Sequence, residues 1–299
     1  MFKVGHGLAQ SSVNTYEYRL RNFISGIWPD KRITPGRAQD YRRVLPALNS
    51  YEVTTRRGIL IALLRYLAQF RAVNQKVIAK YRALLADLQG AVKDRGTKLS
   101  QHDRGAWVPW DELMEGPGAI MSVIKEVGPG SPSYFNLFQK YIVLMLYTRL
   151  PPLRADYADT IFMGSGRAKD NGVSNVMDAK RGVFILRQYK TARHEGQKVI
   201  DLPEELRAAL MQWAKINDSG WLLVTVGERT PMGPNTLSKY ISDLTKALYG
   251  RKLGPTMFRK IYLSTKYPVE VDKARKMDAE IMGHSLATQS QYYRKEVPK

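Results

Sequence analysis

The chain contains no cysteine and only four histidines, His6, His102, His194 and His284. Without cysteine there are no disulfides, no thiolate metal sites and no cysteine nucleophile. The scatter of the histidines argues against a histidine-built zinc site. The longest apolar runs, "YIVLML" and "ILIALL", stop far short of the roughly 20 residues that a membrane-spanning helix needs. The N-terminal "MFKVGHGLAQSS" lacks the apolar core of a signal peptide, so the expectation is an intracellular protein with no membrane segment. No Gly-x-x-x-x-Gly-Lys-Ser/Thr loop is present, and "GSGRAKDNG" reads as a turn, with neither a strand before it nor a helix after it. "HEGQK" lacks the second histidine of a metalloprotease helix. The acidic residues are dispersed rather than clustered as a metal-dependent nuclease requires. No metal and no cofactor are therefore expected.

What the chain has in excess is positive charge. Its 299 residues carry 47 Lys and Arg against 27 Asp and Glu, a net charge of +20 and a pI near 10.0, yet 44% are hydrophobic. That is a folded basic protein rather than a basic tail. A surplus of this size suits a polyanion, and nucleic acid is the commonest one, bound through neutralised phosphates and released counterions. Residues 1–105 hold 19 Lys and Arg against 7 Asp and Glu, a net of +12, so more than half of the excess lies in the first third.

The length suits two domains. Residues 1–105 read as helical: "SSVNTYEYRLRNFISGIW", "YEVTTRRGILIALLRYLAQF" and "QKVIAKYRALLADLQGAVK" repeat apolar residues at helical spacing, with "RITPGRAQD" as an intervening turn. Arg42, Arg43, Arg56, Arg57, Arg65 and Arg71 are the candidates for phosphate contact in this part. The polar, weakly periodic "KDRGTKLSQHDRGAWVPW" reads as a linker. Residues 106–299 open with two helical patterns and then change texture. "GVFILRQYKT" and "QKVIDLP" read as the strands of a β-hairpin around a loop of about five residues, "ARHEG". "PEELRAALMQWAKI", "NTLSKYISDLTKALYG" and "TMFRKIYLSTKY" return to helix. The expected fold is mainly α with a small antiparallel β-sheet, in two domains, 1–105 and 106–299.

Phosphodiester transfer without metal needs fixed cations on the non-bridging oxygens, a side-chain nucleophile in line, and an acid for the leaving oxygen. Arginine suits the clamp because its planar fork engages two phosphate oxygens and keeps its charge. Four segments supply the parts in order: "YTRLPPLRADYADT" with Arg154, "LRQYKTARHEGQK" with Lys190, "GPTMFRKIYLS" with Arg259, and "IMGHSLATQSQYYRK" with His284, Tyr292 and Tyr293.

In these motifs the chain resembles the tyrosine recombinases, the phage-integrase type of site-specific recombinase that shares its catalytic domain with type IB topoisomerases. The resemblance implies a helical core-binding domain followed by a mixed α/β catalytic domain. It makes Arg154 and Arg259 the phosphate clamp, Lys190 the acid for the leaving 5′ hydroxyl with Lys198 as the fallback, and His284 a donor to a non-bridging oxygen. Tyr293 becomes the nucleophile by the family's spacing from the Gly-His pair. An uninterrupted helix would turn about 900° over those nine residues and separate His284 from Tyr293, so "SLAT" is expected to break it. Tyr292 would pack or contact backbone. The chain departs from the family at several points. "TRLPPLR" replaces the Thr-Gly-Leu-Arg box, in a double-proline form similar to relatives from DNA viruses and mobile elements of eukaryotes. Tyr157, with Asp156 beside it, stands where a Glu is usual, and Thr256 stands for the His that leads the second arginine box. Lys260 or water is then left to take the tyrosine's proton. The implied partner is double-stranded DNA, held by a homotetramer on two sites that is monomeric or dimeric without DNA. The implied location is that DNA's compartment, a prokaryotic cytoplasm or a eukaryotic nucleus or viral factory. The alternatives are a type IB topoisomerase and a DNA-binding relative without catalysis.

Overall fold

The computed structural model describes residues 10–95, 99–164 and 168–267, with positions 271, 277 and 281. The chain divides into two compact units, residues 1–98 and 99–299. In the first, α1 (Gln10–Ile27), α2 (Pro35–Gln39), α3 (Tyr41–Asn49), α4 (Val53–Leu67) and α5 (Gln75–Arg95) follow one another. Leu20, Phe23 and Ile24 of α1 meet Leu48 of α3, Tyr81 of α5 and Ile59, Leu60, Leu63 and Leu67 of α4 in one core. The apolar residues of α4 leave it few polar faces, as suits the helix that the others surround. The expected turn "RITPGRAQD" instead contains α2. Thr34 accepts a hydrogen bond from the Arg37 N–H at 3.2 Å, Pro35 takes the first turn, and Asp40 accepts from the Arg43 N–H at 3.3 Å to start α3. Thr-Pro and Asp are residue types that favour such caps.

The second unit contains α6 (Gln101–Ala106), α7 (Trp110–Val127), α8 (Tyr134–Arg149), β1 (Ile161–Met163), β2 (Val176–Asp178), β3 (Val183–Leu186), α9 (Ala192–Glu195), β4 (Lys198–Asp201), α10 (Glu204–Ile216), α11 (Pro234–Tyr249) and α12 (Pro255–Lys266). The stretch read as a linker therefore carries α6, and the units divide ahead of the expected 105/106 boundary. Ser100 and Asp103 form a reciprocal capping box that starts this helix. "SQHD" is the sequence signature of such a box.

The sheet is mixed rather than antiparallel, in the order β1-β2-β3-β4. β1 runs parallel to β2, and the β2–β3 and β3–β4 pairs are antiparallel. β1 and β2 have three residues each, too short for a period-2 pattern to register. A strand does precede "GSGRAKDNG", against expectation, and β2 follows the connection. Parallel neighbours need a long connection, and twelve residues separate the two strands in sequence. Among the described residues no helix is long and apolar enough to cross a membrane.

Pro117 lies inside α7 and brings no N–H to the Leu113 carbonyl one turn earlier. The Tyr249 hydroxyl, at the end of α11, donates to that carbonyl at 3.4 Å. Gly116 makes the approach possible, because a Cβ there would lie 1.9 Å from the hydroxyl oxygen. Tyr249→Phe leaves the carbonyl unsatisfied and is expected to cost about 1–2 kcal/mol. The readout is a lower urea midpoint at an unchanged m-value.

Candidate active site

Arg154 follows the end of α8 in an irregular segment, exposed to solvent. Its backbone is held from both sides. The Tyr147 hydroxyl donates to the Arg154 carbonyl at 2.5 Å, and the Arg154 N–H donates to Asp156 Oδ2 at 3.1 Å. Three residues after Arg154, Tyr157 is fully buried and its hydroxyl donates to the Leu146 carbonyl at 3.2 Å. In the place of the family's Glu this residue therefore serves the core. Burial pushes both the Tyr147 and Tyr157 phenols well above their usual range, so neither ionises as a nucleophile would.

Arg259 sits half-buried on α12, one residue after the buried Phe258. A chain of aromatic rings ties these positions together. Phe258 lies 5.3 Å from Tyr147, Tyr147 lies 5.3 Å from Tyr157, and Tyr157 stacks on Phe184 of β3 at 5.4 Å. Each such contact is worth about 0.5–1.5 kcal/mol beyond its buried area. The spine brings the neighbours of Arg154, Arg259 and the Lys190 hairpin into one core.

Asp156 is half-buried beside Arg154. Burial raises its carboxyl above the usual carboxylate range, opposed by the Arg154 N–H and by the charges of Arg154 and Arg259. A group raised in the folded state destabilises the fold once it ionises. The stability is full below the unfolded value near 3.8, and falls as pH rises through the higher folded value. Asp156→Asn keeps an acceptor for the Arg154 N–H and removes the charge. Its melting temperature is expected to exceed that of the wild type near about pH 7.5, with the difference shrinking towards about pH 4. Thermal unfolding of both proteins across that range checks this.

Lys190 is exposed in the turn after β3, four residues beyond the end of the strand that was expected to carry it. The strand stops because Asn175 captures the chain. Asn175 is 4% exposed. Its Oδ1 accepts from the Arg187 and Gln188 N–H groups at 2.8 and 2.7 Å, and its Nδ2 donates to the Gln188 and Asp156 carbonyls at 3.0 Å each. One satisfied amide therefore joins the Asp156 segment to the segment that carries Lys190. The hairpin connection, residues 187–197, is longer than the five residues expected and includes α9. Arg187 closes its base by donating to Gln197 Oε1 at 2.8 Å while its fork holds both Asp170 oxygens.

The fallback, Lys198, is a strut inside this loop. It pairs with Glu195 and lies 5.0 Å over the Tyr189 ring, whose hydroxyl donates to the Gly196 carbonyl. The bond to Glu195 holds its ammonium above the usual range, the wrong direction for a proton donor. Lys190 has no ion pair or side-chain hydrogen bond among the described residues.

Thr256 is exposed near the start of α12. Lys260, also on α12, donates to Asp103 of α6 at 2.6 Å and keeps that carboxyl below its usual range. An ammonium that donates to a carboxylate has no lone pair for a tyrosine's proton, so the geometry gives Lys260 a structural part instead. His284, Tyr292 and Tyr293 lie outside the described residues.

In the first unit, Arg42 and Arg43 are on α3, Arg56, Arg57 and Arg65 on α4, and Arg71 follows α4. Arg56 is committed to backbone: its Nη2 donates to the Asn49 and Tyr51 carbonyls at 3.0 Å each, sealing the α3–α4 turn. Arg57 is half-buried, and Arg43 is 3.8 Å from its neighbour Asp40. Arg42, Arg65 and Arg71 are exposed, with no ion pair among the described residues. The sequence reading missed Arg19, whose guanidinium lies over Gly58 of α4 where a Cβ would be 2.5 Å away. It also missed Asn175 and Tyr147. No three His, Cys, Asp or Glu side chains among the described residues come together as a metal site.

No protein-family model and no curated protein sequence matches the chain. A solved structure titled "Crystal structure of XerA recombinase" matches with 16% identity over 97% of this chain and 90% of that one, at a TM-score of 0.35. At that score the superposition assigns neither fold nor function.

Proposed function

We propose that this protein is a DNA strand transferase of the tyrosine recombinase type. The observation that supports it best is the aromatic spine Phe258–Tyr147–Tyr157–Phe184, which ties the neighbours of Arg154 and Arg259 to the strand that leads to the Lys190 loop, a loop that Asn175 stitches to the Asp156 segment. Arg154, Arg259 and Lys190 are three of the five residues that the motif order put forward.

In this reading Arg154 and Arg259 hold the non-bridging oxygens of one phosphate, with His284 as a further donor. The Tyr293 oxygen attacks phosphorus and forms the 3′-phosphotyrosyl bond as the P–O5′ bond breaks. The departing 5′ oxygen takes its proton from Lys190, and the phenol's proton leaves to water. The phosphoester is conserved, so the reverse attack by a 5′ hydroxyl needs no ATP. Attack by a different strand's 5′ hydroxyl gives recombination. The helical first unit supplies phosphate contacts through Arg42, Arg65 and Arg71. The working assembly is a homotetramer on two duplexes, in whichever compartment holds the target DNA.

The test is a nicked duplex whose short 5′ fragment diffuses away after cleavage and traps the covalent step. A protein–DNA adduct that survives SDS supports the reading. Tight DNA binding with no adduct would leave a DNA-binding protein without this chemistry.

A further inference from the structure

A second cationic site lies in the first unit, apart from the arginines considered above. A cleft of about 310 Å³ opens against α1 and the turn between α1 and α2, lined by Glu17, Arg21, Lys31, Arg32, Thr34 and Tyr66 among others. We propose that this cleft seats one backbone phosphate of duplex DNA and fixes how the first unit is set on the helix. This rests on the reading that the protein binds DNA.

The backbone of the turn that carries Lys31 and Arg32 is held in place. Arg37 braces it from behind, with its fork on Asp30, its Nη1 donating to the Arg32 carbonyl at 3.0 Å, and its guanidinium 5.5 Å over the Trp28 ring. The Lys31 N–H donates to the Trp28 carbonyl at 3.0 Å, and Lys31 takes a left-handed backbone, φ 55°. Because Arg37 occupies Asp30, the side chains of Lys31 and Arg32 stand exposed without an ion pair among the described residues. Arg21 joins them from α1, aligned by Glu17, which its Nη2 meets at 2.7 Å. The buried Tyr66 ring forms part of the wall, with its hydroxyl donating to the Ile33 carbonyl at 3.3 Å.

Three cations from two elements thus face one concavity against a single carboxylate. Glu17 takes up Arg21, which leaves Lys31 and Arg32 without a carboxylate among the described residues, where a solvated salt-bridge face would pair them.

The test uses the full chain and a duplex of about 30 base pairs, with affinity measured from about 50 to about 200 mM salt. The double variant Lys31→Gln/Arg32→Gln is expected to reduce the slope of log K against log salt by about 1, the value of one neutralised phosphate. Its melting temperature should match the wild type, since neither side chain is paired. An unchanged slope, with the wild type binding DNA normally, would overturn the site while leaving the catalytic reading intact. A wild type that binds no duplex would overturn both. Titration with inorganic phosphate and with AMP, followed through the amide signals of Arg32 and Thr34, separates the sources. Saturation by either free anion, together with an unchanged DNA slope, would assign the cleft to a small phosphate and contradict the proposal.

Discussion

Replacing Arg259 by alanine is expected to slow strand cleavage by about 10²–10³-fold while weakening DNA binding far less. The asymmetry follows from where the charge develops. In the ground state the scissile phosphate is one of many phosphates along the duplex, and losing one contact lowers the salt slope by about 1. In the pentacovalent transition state extra negative charge accumulates on the non-bridging oxygens, and a preorganised donor aimed there is worth about 2.7–4 kcal/mol. Arg259 is preorganised by its half-buried place on α12, beside Phe258 in the aromatic spine. Arg259→Lys should recover only part of the loss, because an ammonium keeps the charge and loses the fork. Single-turnover cleavage measured beside equilibrium binding checks this. Equal losses in both would mean that Arg259 only binds.

Lys190→Ala is expected to slow cleavage of an ordinary phosphodiester by about 10²–10⁴-fold. It should have almost no effect on a substrate whose 5′ bridging oxygen is replaced by sulfur. A 5′ alkoxide must be protonated as it leaves, whereas a thiolate, whose thiol has a pKa of about 8.5, leaves without an acid. Rescue by sulfur therefore identifies the residue that supplies the proton, which a general loss of activity does not. Lys198→Ala should show no such rescue. Its ammonium is held by Glu195 and the Tyr189 ring, so its loss loosens the hairpin and affects both substrates alike. Rescue of Lys198→Ala in place of Lys190→Ala would exchange the two roles.

The sequence showed most of the helices because their apolar faces repeat over many turns, as in α10, α11 and α12. It hid α2 and α6, where capping residues rather than periodicity mark the helix. β1 and β2 were too short to show alternation, and the mixed sheet depends on a parallel pairing that no local pattern encodes. The strand towards Lys190 looked longer than it is, because Asn175, remote in sequence, captures Arg187 and Gln188. Residue type and order alone put forward Arg154, Lys190 and Arg259 as candidates. The bridging part of Asn175 was not legible, since it comes from burial and from partners that only the fold brings near. Lys260 shows the converse. Its position beside Arg259 invited a chemical role, and its ion pair with Asp103 gives it a structural one.

The most direct measurement is the covalent adduct itself. Wild type, Tyr293→Phe and Tyr292→Phe are incubated with the nicked trapping duplex, without ATP, and resolved in SDS. The account predicts an SDS-resistant protein–DNA band for wild type and Tyr292→Phe, and none for Tyr293→Phe, with all three binding the duplex alike. A band that persists in Tyr293→Phe, or a wild type that binds tightly and never forms one, would contradict it.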